Sequence, residues 1–146
     1  MEDVIELMKK HTSVRNFADT SLADEVKEQL IIAAHAGASS NFVQATSIID
    51  VTDPSIRGQL AEISKSAAYV KQSGAFFVFV ADLYRQSQIL QQQGLDLAGI
   101  KNMEALTVAI VDTAIAGENL AVAAESLDLG ICYIGGIRND LTTVRD

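Results

Sequence analysis

The sequence predicts an α+β protein, a single domain over residues 1–146 in which helices and strands mix in one layered core. Lys101 to Leu127 is rich in Ala, Val, Leu and Ile, contains no proline and meets only Gly117 before Gly130, the composition of one long helix. Three short runs of β-branched and aromatic residues read as strands: TSIIDVT at 46–52, GAFFVFV at 74–80 and GICYI at 130–134. Size and composition agree, because 146 residues with 49% hydrophobic and 21% charged side chains suffice for one well-buried core. No repeat, low-complexity tract or linker divides the chain.

Taken in order, Glu2 to Lys10 places Val4, Ile5, Leu7 and Met8 at helical spacing and ends in two lysines, the charges that suit a helix C-terminus. A second helix starts with Ser21 as cap and Asp24 and Glu25 in its first turn. It carries the stripe Leu22, Val26, Leu30, Ala33 and Ala34, and stops at Gly37 in a left-handed conformation. The strand at 46–52 ends at Asp53-Pro54, which holds the only proline, and a helix follows over 55–63. The Gln-rich segment 85–100 fits a helix or a mobile loop. In the long helix, Glu118 and Glu125 share a face while Asp112 sits about 120° away, leaving most of the circumference apolar. Such a helix lies in the core or between subunits, and Val108, Ile110, Ile115, Leu120 and Val122 are the residues expected at a homodimer interface.

Charge and cysteine content exclude several classes. Eleven Lys and Arg against nineteen Asp and Glu give a net charge of −8, the wrong sign for a protein that neutralises nucleic-acid phosphates. The apolar stretch Ala105–Leu129 is interrupted by Asp112, Glu118 and Glu125, whereas a spanning helix takes about 20 largely uncharged residues, so no membrane partner is expected. Cys132 is the single cysteine, expected as an inert thiol inside a buried strand, and with His11 and His35 it makes no zinc set. MEDVIELMKK has acids where a signal peptide has its basic region and lacks an apolar core, which points to the cytoplasm. The motifs G-x-S-x-G, G-x-x-x-x-G-K-[ST], G-x-G-x-x-G and H-E-x-x-H do not occur.

Three places retain chemical interest. Lys9-Lys10-His11-Thr12-Ser13-Val14-Arg15 concentrates cations, an imidazole and two hydroxyls in an acidic chain. Arg15 offers a fork for phosphate oxygens, Ser13 a hydroxyl and His11 a ring nitrogen, although a basic run is more often a solvated face. Ala38-Ser39-Ser40-Asn41-Phe42-Val43-Gln44 is a turn dense in small donors and acceptors, equally compatible with an ordinary connection. Tyr133-Ile134-Gly135-Gly136-Ile137-Arg138 puts paired glycines at a strand end, where backbone N–H groups and space for a flat ligand become available, or where the chain merely turns.

Together these segments resemble the NADPH-dependent flavin reductase and oxygen-insensitive nitroreductase family. The family's H-R-S-x-R-x-F appears as His11-Thr12-Ser13-Val14-Arg15-Asn16-Phe17. The likeness continues through Ser39-Ser40, Gln44, Ser47-Ile48-Ile49, Phe76-Phe77-Val78-Phe79, Ala81-Asp82, Ala123-Ala124-Glu125-Ser126-Leu127 and Tyr133 to Asn139. It implies a nitroreductase-like fold with a central mixed sheet flanked by helices, and a homodimer with FMN at each subunit junction. His11, Ser13 and Arg15, with Thr12 between them, would hold the FMN phosphate and ribityl chain. Ser39 and Ser40 would reach the flavin from the partner, Tyr133, Ile134, Gly135 and Gly136 would line the ring, and Arg138 would attract the NADPH phosphates. The implied reaction is ping-pong: NADPH reduces the flavin, and a small acceptor (a nitroaromatic, a quinone or free flavin) takes the electrons, with the cofactor rather than a side chain carrying the chemistry.

Two departures stand out: Thr12 replaces an arginine, and Ala67 lies where relatives offer a glutamine. Relatives also continue past the end of this chain with a Lys-x-Arg segment and a C-terminal arm. The expectation is therefore a chain truncated relative to the family, and the alternative to an enzyme is a silent dimerising module with weak or no flavin binding.

Overall fold

A computed structural model describes residues 3–145, so Glu2 of the first expected helix and Asp146 lie outside the described residues. The α+β class is observed. Helix α1 (Val4–Lys9) is started by the Asp3 carboxylate, which accepts from the Ile5 N–H at 2.9 Å. Helix α2 (Asp24–His35) begins later than a Ser21 cap requires. The Leu22 N–H donates instead to the Gly74 carbonyl at 3.0 Å, which keeps this segment extended and hands the first helical acceptor to Ala23. Gly37 follows α2 without adopting a positive φ. Its role is close approach, since a Cβ there would sit 2.9 Å from the Ile115 side chain and 3.3 Å from that of Asn119.

Strands β1 (Thr46–Asp50) and β2 (Phe77–Ala81) form a two-stranded sheet. Val51 N–H to Phe76 C=O at 2.9 Å and Asp82 N–H to Ala45 C=O at 3.0 Å show that the ladder is antiparallel, because 51 opposes 76 while 45 opposes 82. Asp53 ends the first strand and caps α3 (Pro54–Ile63), accepting from the N–H groups of Ser55 and Ile56, with Pro54 in the first turn where its missing N–H costs nothing. A short helix α4 (Ala67–Gln72), too brief to leave a periodic signature, precedes β2. The ambiguous Gln-rich segment resolves into α5 (Tyr84–Gln92) and a 3₁₀ turn at Leu97–Ile100, joined through Gly94 at φ +67°.

Helix α6 (Met103–Ser126) is the long helix that the composition predicts. Asn102 accepts from the Ala105 N–H at its start. It ends at Asp128, which takes the left-handed conformation (φ 59°) while the Leu129 N–H reaches back to the Ala124 carbonyl. The helix is long and apolar enough to cross a membrane by length and composition, but its small-residue stripe, Ala109, Ala116, Ala121 and Ala124, is buried in the protein. On the same helix Met103, Leu106, Ile110 and Val111 are exposed in the single chain.

GICYI does not become a strand. Its one ladder contact among the described residues is a parallel bridge between Ile131 and Ser13, because the chain beyond Arg15 turns at Ala18–Thr20 and supplies no further partners. Cys132 is correspondingly half-buried rather than enclosed. A 3₁₀ turn at Gly135–Asp140 leads into α7 (Leu141–Arg145).

The chain divides into two compact units. One takes in the N-terminal segment through Lys27, Asp50–Val78 and the segment from Ala124 onward. Its core is Val51, Leu60, Ala61, Val70 and Phe76, flanked by Tyr69, Ile134 and Ile137. The Arg57 guanidinium closes the end of α4 by donating to the carbonyls of Val70 and Ser73. The other unit, Glu28–Ile49 and Phe79–Ala123, buries Leu30, Ala34, Ala45, Ala109, Ala116, Leu120 and Ala121. There Asp82 accepts from the Ser47 hydroxyl at 2.6 Å and the Tyr84 N–H at 2.7 Å, and these bonds hold its carboxyl below the ordinary value of 3.8. A depressed carboxyl stabilises the fold at neutral pH and loses that contribution as pH falls through the carboxylate range. Asp82→Asn is therefore expected to destabilise the protein at pH 7, and its deficit against the unmodified chain in urea unfolding should shrink below about pH 4. A deficit that stays constant across this range would contradict the assignment.

Candidate functional site

The basic run after α1 is held in place by the Ser13–Ile131 bridge, with the Val14 N–H donating to the Ile131 carbonyl at 2.8 Å. Val14 packs so tightly on Gly130 that a Cβ at Gly130 would lie 2.6 Å from it. Strand-like alternation about Val14 leaves Ser13 and Arg15 exposed. The Arg15 guanidinium makes one long hydrogen bond, to the Ser13 carbonyl at 3.5 Å, and no ion pair among the described residues. In a chain of net charge −8, this leaves a guanidinium with open donors, the fork geometry that matches a carboxylate or a phosphate.

His11 is arranged by Glu125, which the sequence places on the long helix and in a run shared with the family but to which it gives no role. Its Nδ1 lies 2.7 Å from Oε1 of Glu125, and since a carboxylate only accepts, Nδ1 is the donor. Nε2 is left for another partner. Glu125 itself is largely covered, with a side chain 13% exposed, whereas His11 is 43% exposed. Thr12 is exposed beside them.

In the same unit, Tyr133 is exposed, Ile134 packs against the apolar core, and Gly135 and Gly136 open the 3₁₀ turn. Gly136 rests on the carbonyl of Ser64, inside the distance at which any Cβ fits. The turn is thereby pressed onto the α3–α4 connection, where Ser64 and Ser66 are buried and Lys65 takes φ 55°. Asn139 adds a hydrogen bond to the Ile63 carbonyl at 3.1 Å. The Arg138 guanidinium folds back beside Gly135, about where a Cβ of that glycine would meet it at 3.1 Å. Ala67 opens α4 with its methyl against the core, so this position offers no polar side chain.

Ser39 and Ser40 lie in the other unit, next to an open groove of about 410 Å³ lined by Ala38, Thr107, Val108, Val111 and Ile115. Three non-glycine residues of this loop adopt positive φ, Asn41 (50°), Phe42 (55°) and Gln44 (50°), at a cost of about 1 kcal/mol or more each. Phe42 is 79% exposed. The loop is fastened to Asp112 of α6, which is 4% exposed and accepts from the Ser39 hydroxyl at 2.7 Å, the Ala45 N–H at 3.1 Å and the Ser40 N–H at 3.3 Å. The one signal for Asp112 in the sequence is an acid standing alone among apolar helix residues.

Residues 8–146 match the sequence profile of the nitroreductase family, and the chain belongs to that family. It is 42% identical over 147 residues to a protein of Bacillus subtilis (strain 168) named FMN reductase (NADPH), covering all of this chain and 59% of the relative. The oxygen-insensitive NADPH nitroreductase of Salmonella typhimurium is also 42% identical, over 146 residues, with the same coverage. Among solved structures, the NfrA1 nitroreductase from B. subtilis superposes with a TM-score of 0.95 at 43% identity, covering 97% of this chain and 58% of its own. The NADPH:FMN oxidoreductase from Vibrio harveyi complexed with NAD+ gives 0.88 at 35% identity, covering 98% and 60%. The chain thus spans about three fifths of the length of the relatives it matches.

The two glycines make different predictions. Gly136→Ala forces a methyl against backbone and should lower stability by about 1–3 kcal/mol in thermal or urea unfolding. Gly135→Ala meets only the end of a flexible side chain and should fold normally. Equal stability of the two variants would contradict this packing.

Proposed function

We propose that the chain forms an FMN- and NADPH-binding portion of a homodimeric, flavin-dependent oxidoreductase. The observation that carries the proposal is Arg15, exposed and without an acidic partner among the described residues, in a segment joined by the Ser13–Ile131 bridge to the run that leads into Gly135 and Gly136. The side chains suit the phosphate and ribityl chain of FMN: a guanidinium fork at Arg15 and the hydroxyls of Thr12 and Ser13 for the phosphate, and at His11 an oriented imidazole whose Nε2 would accept from a ribityl hydroxyl. Tyr133, Ile134, Gly135 and Gly136 would face the ring, Ser39 and Ser40 would reach the flavin of a partner copy, and Arg138 would attract the phosphates of NADPH. The names of the relatives, FMN reductase (NADPH) and oxygen-insensitive NADPH nitroreductase, support both cofactors.

When bound, FMN would supply the redox chemistry of a ping-pong transfer from NADPH to a nitroaromatic, a quinone or free flavin. The side chains position and shield it. The expected setting is the cytoplasm, with neither nucleic acid nor membrane as a partner. The second reading, a dimerising module that binds flavin weakly or not at all, is favoured by Thr12 and by the methyl of Ala67, which supply less polar capture than the family pattern.

The purified chain should bind FMN weakly, losing it on equilibrium dialysis, and oxidise NADPH slowly or not at all when menadione or nitrofurazone is supplied. Stoichiometric retention of FMN with NADPH oxidation at an ordinary enzymatic rate would overturn this expectation, and no FMN uptake at all in titration favours the silent module. Arg15→Ala should raise the FMN dissociation constant about tenfold to a hundredfold, as expected for a lost charge-assisted contact, and by more than Lys10→Ala does. Equal affinities for the two variants would sink the assignment of Arg15.

Homodimerisation draws support from the exposed stripe Met103, Leu106, Ile110 and Val111 on α6. Of the interface residues expected from sequence, Ile110 is 54% exposed and suits the role, whereas Leu120 is buried within its own chain and does not. Ile110→Glu should convert a sedimenting dimer into a folded monomer. A variant that sediments as the unmodified protein does would move the interface elsewhere.

A further inference from the structure

We propose that Asp112 and Ser39 are positioning residues that lock the Ser39–Ala45 loop and so hold Ser40 for the flavin contact proposed above. The inference rests on the reading of this loop as a partner-facing flavin contact, and it moves Ser39 from the contact to the support of the loop. Asp112 is a buried carboxylate whose three acceptor bonds all go to the loop: Oδ2 takes the Ser39 hydroxyl and the Ala45 N–H, and Oδ1 takes the Ser40 N–H. Both ends of the loop are therefore tied to one side chain of the long helix. Ser39 extends the clamp, because its oxygen also accepts the Gln44 N–H at 2.7 Å. With its proton on Asp112 and a lone pair on Gln44, the Ser39 hydroxyl is engaged inside the protein.

Ser40 differs: it is exposed, and its hydroxyl makes no hydrogen bond among the described residues. The far side of the loop is also secured, by the Arg85 guanidinium on the Gln44 carbonyl and the Gln86 amide on the Val43 carbonyl. What stays open is the tip, Ser40 to Phe42, bent outward through two left-handed residues. A buried acid and an engaged hydroxyl that secure a strained loop are the arrangement expected where one exposed group must be held still for a ligand.

Four variants of the 146-residue chain, read by amide hydrogen exchange and by FMN titration monitored through flavin fluorescence, test this. Asp112→Asn keeps the volume but turns an N–H toward a loop N–H, so exchange at Ser40, Gln44 and Ala45 should accelerate at least about tenfold and FMN affinity should fall by a similar factor. Ser39→Ala should release the Gln44 amide in the same way and guards against a folding failure of the Asp112 variant, while Ser39→Thr, which restores a hydroxyl, should recover both properties. Ser40→Ala should weaken FMN with loop exchange unchanged. Unchanged loop exchange in Asp112→Asn and Ser39→Ala overturns the clamp. A loosened loop with undiminished FMN affinity overturns its positioning role, and a Ser40→Ala protein that binds FMN normally overturns the assignment of the contact. If the unmodified chain takes up no FMN, the flavin reading itself falls, and the exchange data still decide whether Asp112 and Ser39 hold the loop.

Discussion

The candidate flavin site depends on one short pairing, the parallel bridge between Ser13 and Ile131 with Val14 pressed on Gly130. It is the sole ladder contact of either segment among the described residues, yet it fixes two motifs that are far apart in the chain. Gly130 allows the approach because any larger residue would collide with Val14. Gly136 repeats the device six positions on, against the backbone of Ser64. Backbone packed on backbone or on a branched side chain yields little to thermal motion, so a site defined by such contacts is set in position before any ligand arrives.

Electrostatics divides the acids into those that are spent and those that organise. Glu125 orients His11, Asp112 secures a loop, Asp82 braces β1 against the start of α5, and Asp53 caps a helix. Arg57 is consumed by the end of α4 in the same manner. Arg15 is left without such a commitment, and Arg138 is set beside a glycine rather than an acid. Neither guanidinium makes an ion pair among the described residues, in a chain whose net charge is −8.

Local pattern made much of the architecture legible. The long helix, expected over 101–127, spans Met103–Ser126, and the Asp53-Pro54 signal marks the junction of β1 and α3. Local pattern failed where distant partners decide. Ser21 is a good cap by type, but Gly74 claims the backbone beside it. GICYI has strand composition, but a strand needs neighbours and it finds one residue. Gly37 stops a helix by yielding space to Ile115 and Asn119 rather than by a positive φ. The motif residues stood out by type and spacing, whereas their supports did not. Ser39 meets Asp112 across 73 positions and His11 meets Glu125 across 114, separations at which no periodicity speaks.

The pairing of His11 with Glu125 also has a consequence for the solution chemistry of this surface. With Nδ1 committed as a donor, a singly protonated imidazole presents only a lone pair at Nε2, which repels an anion rather than grips it. At that nitrogen the singly protonated ring takes a hydrogen bond instead of giving one, so the bond to Glu125 decides which kind of group this edge of the surface meets. Truncating Glu125 would return both ring nitrogens to either role, a freedom that the far end of the long helix withholds.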